Sequence, residues 1–104
     1  MPWIIAIDAG TTGVRAVATD HAGVTLNASH REFTQHYPRP GWVEHDADEI
    51  FEVTQSVLTD AVASIQRAAE SGSQGSRTDT EVAAIGITDQ RETIVAWDSR
   101  TGEP

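Results

Sequence analysis

The fold is decided near the start of the chain, where residues 3–13 read WIIAIDAGTTG. Residues 3–7 are a continuous apolar run that ends in the carboxylate of Asp8, a pattern typical of a central strand buried on both faces. Small turn residues follow at 9–13, and an apolar alternation resumes over residues 14–19. The sequence therefore predicts two antiparallel strands joined by a turn rich in glycine and threonine.

A second turn extends this hairpin. Residues 20–23 end in Gly23, which can adopt a positive φ at little cost, and residues 24–29 again alternate apolar and polar side chains. This alternation predicts a third strand that begins at Val24 and continues towards Phe33. Three consecutive strands joined by short turns form an antiparallel meander.

A long helix is predicted after a surface loop. Residues 37–42 contain two prolines and a glycine, which remove backbone donors and favour turns. Asp46 and Glu49 have the spacing of a capping box, so a helix should begin there. Apolar residues then recur at steps of three and four along one stripe: Ile50, Val53, Val57, Leu58, Ala61, Ile65 and Ala68. The polar residues 71–80 are predicted to form a flexible connector.

The residues after the helix predict a return to the sheet. Residues 82–87 form a short apolar run, and a crossover through a helix places such a strand parallel to the first one. Residues 93–98 predict one more strand, and residues 99–104 have the composition of a hairpin turn. The predicted fold class is α/β, a mixed sheet with an antiparallel three-stranded meander, one long helix and a returning parallel strand.

The length and composition narrow the class of protein. The 104 residues suffice for one domain, and one helix can cover only one face of the sheet, so a bare apolar face predicts self-association or packing against further chain. A formal net charge of −9 repels nucleic acids and anionic lipid surfaces, so neither is an expected partner. Without cysteine there are no disulfides or thiolate metal sites. The first apolar run is too short for a signal peptide or a membrane span, so a cytoplasmic location is expected.

The turn between the first two strands is the first candidate site. Gly10 and Gly13 let backbone amides approach an anion, and Thr11 and Thr12 add hydroxyl donors that can follow phosphate oxygens. Asp8, at the end of the strand, could hold a hydrated magnesium ion. The Gly-Lys-Ser/Thr motif of a P-loop is absent, and an ordinary hairpin turn without a ligand remains the alternative.

The second candidate site follows the predicted returning strand at residues 88–93. Polar residues at the carboxyl end of an apolar strand lie where open α/β sheets place their ligands. Arg91 can donate to one hydroxyl of a polyhydroxy compound while Glu92 accepts from another. The alternative is an exposed, ion-paired loop that contributes little energy.

A third segment, residues 40–46, is a weaker candidate. Trp42 could cover a ligand, although a loop anchored by one aromatic side chain is the simpler interpretation. His45 and Asp46 are predicted to cap the helix rather than to catalyse. The remaining histidines lack the spacing of metal ligands.

Residues 7–12, 31–33, 37–46 and 85–93 together resemble the start of the FGGY carbohydrate kinases, above all their glycerol-phosphorylating members. The resemblance implies a ribonuclease H-like fold of the actin-like ATPase group. It also implies ATP and Mg²⁺ as cofactors, and glycerol or a related polyol as the substrate.

The resemblance also implies roles for individual residues. It places Asp8 near the metal, and Arg91 and Glu92 on glycerol hydroxyls. It places the nucleotide phosphates on the turn, at Gly10, Thr11, Thr12, Gly13 and Arg15. The chain departs from the family pattern at three positions, with Ala9 for glutamine, Gly13 for serine and Asp89 for asparagine.

Members of this family are several times longer, so residues 1–104 are expected to be the N-terminal part of their first domain. The general base, an aspartate in the family, is then expected beyond Pro104, and the isolated chain is expected to be inactive. Two other classes stay open. One is a non-catalytic actin-like nucleotide-binding module, and the other is a subunit that completes its sheet with a partner chain.

Overall fold

A computed structural model describes residues 2–26, 28–71 and 79–104. Four strands form one mixed sheet in the order β3-β2-β1-β4, which confirms the predicted α/β class. In chain order the elements are β1 Trp3–Ala9, β2 Gly13–Asp20, β3 Ser29–Glu32, α1 Ala47–Ser71 and β4 Val82–Thr88. The predicted connector at 71–80 falls mostly on residues outside the described part of the chain.

The first hairpin and the parallel return follow the sequence prediction. β1 pairs antiparallel with β2, so that Ala9 lies opposite Val14 beside the turn. β4 pairs in parallel with β1, and Ile5 lies opposite Ile85. Since α1 precedes β4 in the chain, the connection is the crossover that a parallel pair requires.

The third strand is shorter than the alternation predicts. β3 begins at Ser29, whereas Thr25 forms only an isolated bridge with Thr19. The register of that bridge differs by one residue from the β2–β3 ladder, in which Ala16 lies opposite Ser29. The strand predicted from Val24 is therefore wrong in its first half, because a shift of one residue interrupts the pairing.

The core lies on one face of the sheet, beneath α1. Alternate residues of β1 point into it, whereas Ile4 is 53% exposed on the other face. The expectation that β1 is buried on both faces is wrong, because the single helix covers one face only. The buried apolar side chains are Trp3, Ile5, Ile7, Val14, Ala16, Ala18, Phe33, Val57, Ala61 and Ile65.

The helix packs on β1, β2 and β3 and leaves β4 uncovered. Ile85 and Ile87 lie opposite Ile5 and Ile7 in the parallel ladder, so they share the core face. They nevertheless remain exposed, Ile87 by 67%, because no helix passes over them. The apolar surface left bare by the fold thus includes the core-facing side of β4.

Asp46 caps the amino end of α1, as predicted. Its Oδ1 accepts hydrogen bonds from the backbone amides of Asp48 at 2.9 Å and Glu49 at 3.3 Å. Glu49 does not complete a capping box, because its Oε1 instead accepts from the amide and the hydroxyl of Thr34, at 2.8 and 3.0 Å. This carboxylate therefore ties the start of the helix to the segment after β3.

The strand predicted at residues 93–98 is wrong. The backbone there is irregular and Ile94 is 92% exposed, because the segment lies against no strand edge with which it could pair. The predicted closing turn is confirmed, since the Gly102 amide donates to the Asp98 carbonyl at 2.8 Å. Gly102 supplies the positive φ of 78° that this turn needs. Among the described residues no helix is both long and apolar enough to cross a lipid bilayer.

Candidate functional site

Two glutamine side chains donate hydrogen bonds to the backbone of the turn between β1 and β2. Gln90 Nε2 donates to the carbonyl oxygen of Gly10 at 3.0 Å, and Gln35 Nε2 donates to that of Thr11 at 3.0 Å. Gln90 follows β4 and Gln35 follows β3, so two distant segments fix neighbouring peptide groups of one turn.

Backbone groups hold the other two carbonyls of the turn. Phe33 N donates to the Thr12 carbonyl at 3.2 Å, and Gly10 N donates to the Gly13 carbonyl at 3.0 Å. Because C=O and N–H point in opposite directions across a trans peptide, the bonds from Gln90 and Gln35 to the Gly10 and Thr11 carbonyls point the Thr11 and Thr12 amides away from those glutamines. Within the described part of the chain, the amides of Thr11 and Thr12 donate to no protein acceptor. They are the kind of outward-facing donors that receive an anion.

Gly13 lies where β3 approaches the turn most closely. A Cβ atom at this position would stand 2.6 Å from the Arg31 carbonyl oxygen and 2.8 Å from His30 Nε2. Real Cβ atoms do not come so near to backbone, so the absence of a side chain is required here. The departure from serine at this position therefore fits the local packing of this chain.

Asp8 and Arg15 lie on the other face of the sheet. They are directly opposite each other in the β1–β2 ladder, both are exposed, and their side chains leave the face that α1 does not cover. A single exposed carboxylate suits a magnesium ion that keeps most of its water. Among the described residues, no group of three or more His, Asp or Glu side chains could hold a metal ion directly.

The loop after β4 contains a strained residue. Glu92 has a φ of 59°, in the left-handed region that side chains other than glycine seldom adopt. The neighbouring Thr93 hydroxyl donates to Gln90 Oε1 at 2.9 Å. Such strain persists only where the surroundings impose it, and it is concentrated at binding sites.

An open groove of about 830 Å³ lies between the turn and this loop. Both polar and apolar side chains line it. The lining residues are Thr11, Thr12, Gln35, Tyr37, Val43, Glu44, His45, Ala47, Ile50, Gln90, Glu92, Thr93, Ile94 and Val95.

The groove gathers part of the predicted set of site residues. Thr11 and Thr12 line it together with Glu92. The other predicted residues lie outside its lining: Asp8, Gly10, Gly13, Arg15 and Arg91. Trp42 is also outside the lining and packs under the Arg39 guanidinium at 4.8 Å, which favours the interpretation of an anchored loop.

Three polar residues of the groove were not predicted from the sequence in this role. Gln35 and Gln90 contact the same imidazole, that of His45, and His45 packs edge-on against Phe33. His45 does not cap the helix, since Asp46 does so. Glutamine amides carry no sequence pattern, because their value lies in offering a donor and an acceptor to groups that only the fold brings near.

Comparison with known proteins finds a family and relatives that match nearly the whole chain. Residues 3–104 match the FGGY family of carbohydrate kinases, N-terminal domain. The chain is 45% identical over 102 residues to a glycerol kinase of Petrotoga mobilis and 49% identical to one of Vibrio cholerae. These alignments cover 98% of this chain and 18% of each relative, so the chain spans less than a fifth of their length.

Solved structures show the same fold. A xylulose kinase from Rhodospirillum rubrum superposes with a TM-score of 0.78 at 22% identity, over 94% of this chain and 18% of that one. A Plasmodium falciparum glycerol kinase with ADP superposes with a TM-score of 0.60 at 26% identity, over 100% of this chain and 19% of that one.

Proposed function

The chain belongs to the FGGY family of carbohydrate kinases, and on that premise we propose that it binds the phosphates of ATP at the turn 10–13 and a polyol at the loop 91–93. The reaction it would serve is the phosphorylation of glycerol, or of a related polyol, to glycerol 3-phosphate. Glycerol is favoured because the relatives at 45% and 49% identity are glycerol kinases.

The observation that carries this proposal is the hydrogen bond from Gln90 Nε2 to the Gly10 carbonyl, 3.0 Å long. It joins the two predicted sites, which are 80 residues apart in the sequence. A phosphate donor at Thr11 and Thr12 and an acceptor hydroxyl at Glu92 would then face the same groove. Phosphoryl transfer depends above all on such positioning.

At the turn, the amides and hydroxyls of Thr11 and Thr12 would donate to phosphate oxygens. Arg15, on the outer face, would add a positive charge. Asp8 would hold Mg²⁺ through water, and the ion would neutralise the negative charge of the phosphates.

At the loop, the Glu92 carboxylate would accept a hydrogen bond from one hydroxyl of the polyol, and Arg91 would donate to another. Since both groups then hold substrate, neither serves as the general base, which we assign to a part of the protein outside residues 1–104.

Titration of the ¹⁵N-labelled chain by NMR tests the two subsites separately. Mg-ADP should shift the amides of Thr11 and Thr12, and glycerol should shift those of Glu92 and Thr93. The matched control ligand is 1-propanol, which has a single hydroxyl. Glycerol shifts equal to those from 1-propanol, or nucleotide shifts away from the turn, would refute the assignment.

A hybrid kinase, in which this chain replaces the matching 102 residues of the Vibrio cholerae glycerol kinase, tests the complete reaction. We expect glycerol-dependent ADP formation from the hybrid and none from the 104-residue chain alone. Glu92→Gln should weaken glycerol binding in the hybrid, whereas Glu52→Gln on the helix should not. Steady glycerol-dependent turnover by the chain alone would contradict the absence of a base.

A further inference from the structure

His45 bridges two glutamines that come from separate segments of the chain. Its Nε2 lies 2.8 Å from Gln35 Oε1, and its Nδ1 lies 3.3 Å from Gln90 Nε2. The imidazole is half-buried, and its ring meets Phe33 edge-on with centroids 4.9 Å apart. Both ring nitrogens are thus engaged while the ring itself is held by packing.

The partners fix the tautomer of this ring. Gln35 Nε2 faces two carbonyl oxygens, those of Thr11 at 3.0 Å and Phe33 at 3.4 Å, so its Oε1 must face the imidazole. Gln90 Nε2 likewise faces the Gly10 carbonyl, so it is a donor towards His45. The imidazole must then donate from Nε2 and accept at Nδ1, which is a neutral ring with its proton on Nε2.

The same glutamines that contact His45 also hold the turn 10–13. Gln35 Nε2 donates to the Thr11 carbonyl, Gln90 Nε2 donates to the Gly10 carbonyl, and the Thr93 hydroxyl in the loop 91–93 donates to Gln90. An unbroken series of hydrogen bonds therefore runs from Thr93 through His45 to the turn. A displacement of the imidazole would move both ends of the series.

We propose that His45 is a positioning residue that sets the geometry of the turn 10–13 and the loop 91–93 together. The proposal rests on the proposed function, since it assigns His45 to the coupling of the nucleotide and polyol subsites. His45 touches neither ligand in this scheme. It acts through Gln35 and Gln90, so its loss should weaken the binding of both substrates.

The ring nitrogens of His45 provide the first test, by ¹⁵N NMR of the 104-residue chain. We expect a single neutral tautomer with the proton on Nε2. His45→Leu should shift the amide resonances of Thr11, Thr12 and Thr93, whereas His36→Leu, in the same loop, should leave them in place. A proton on Nδ1, a mixture of tautomers, or unmoved turn amides in His45→Leu would overturn the proposal.

The hybrid kinase provides the second test, through the separation of KM from kcat. Loss of one or two net hydrogen bonds should raise the KM for ATP and the KM for glycerol by roughly fivefold each in His45→Leu. His45→Gln retains a donor near the position of Nε2, so its two KM values should lie between those of the parent hybrid and those of His45→Leu. A residue with a merely structural role would lower the amount of active enzyme, and therefore the apparent kcat, with both KM values unchanged.

These outcomes separate the two proposals. A change in only one KM, or in kcat alone, would overturn the coupling role of His45 and leave the proposed function standing. A hybrid that is inactive with the parent residue at position 45 would contradict the proposed function, and the tautomer and amide shifts would then decide the role of His45.

Discussion

The carbonyl oxygen of Arg31 lies 2.6 Å from the point at which a Cβ atom on Gly13 would stand. β3 therefore lies in close contact with Gly13, the first residue of β2, at the end of the sheet that carries the turn. The atom that a Cβ would meet belongs to the backbone, so no side-chain rotation can relieve the contact.

Gly13→Ala should therefore destabilise the chain by roughly 1–3 kcal/mol, the range of an overpacked site. Thermal or urea unfolding measures the effect. Gly86→Ala in β4 is the matched control, because a Cβ there meets nothing within 4 Å. It should be neutral or slightly stabilising, since alanine restricts the unfolded chain. Equal stability of the two variants would contradict the close approach of β3.

Glu92→Gly should stabilise the fold and impair polyol binding. Glycine adopts a φ of 59° without strain, and removing the side chain from this position should add roughly 1 kcal/mol to the free energy of unfolding. Glu92→Gln keeps the strain and should leave stability unchanged, while it too weakens the glycerol-induced shifts. A destabilised Glu92→Gly variant would show that the carboxylate, rather than the fold, sets this backbone conformation.

The contact between α1 and β3 should depend on pH through Asp60. The Ser29 hydroxyl at 2.7 Å, and after it the Arg31 guanidinium at 3.2 Å, lower the pKa of Asp60 below the ordinary value of 3.8. A carboxyl with a lowered folded pKa stabilises the fold fully above its unfolded pKa. The stabilisation is then lost as the pH falls below 3.8 towards the folded pKa.

Asp60→Asn should remove this contribution, so its stability should fall less steeply than that of the parent as the pH decreases below 3.8. Ser29→Ala should show the same change in part, because it removes the larger cause. Urea unfolding at a series of pH values measures both. Asp89→Asn, an exposed carboxylate in the loop after β4, is the control; a slope for Asp60→Asn identical to the parent would refute the linkage.

The uncovered side of β4 should make the chain associate with itself. Ile85 and Ile87 share the core face yet are exposed, and the edge of the strand is unpaired within the described residues. Size-exclusion chromatography with light scattering should show species larger than 11.2 kDa. Ile87→Lys should reduce their fraction, whereas Thr80→Lys should not. A compact monomer that melts cooperatively would contradict this expectation.

Most of the fold could be predicted because its signals are local. The stripe of α1 from Ile50 to Ile65 follows the helical period, and Asp46 has the side chain that an amino-terminal cap requires. The first hairpin follows from small turn residues between two apolar segments. These features depend on neighbours in the sequence, so they can be deduced without the fold.

The incorrect or missing predictions concern features that depend on residues distant in the sequence. Residues 93–98 have the composition of a strand, yet this segment pairs with neither edge strand of the sheet. β3 loses its first half to a shift in register that no composition reveals. The hydrogen bonds from Gln35 and Gln90 to His45 could not be predicted for the same reason. The partners of a glutamine amide depend on which groups the fold brings near it.

All four carbonyls from Gly10 to Gly13 are already satisfied within the protein, so the turn has little backbone freedom left to lose. Ordering a single residue costs about 1–2 kcal/mol of conformational entropy. An anion that arrives at the Thr11 and Thr12 amides would meet donors preorganised for it, and most of its interaction energy would appear as affinity. The rigidity of four peptide groups would thus decide how tightly a short, acidic chain can hold a negatively charged ligand.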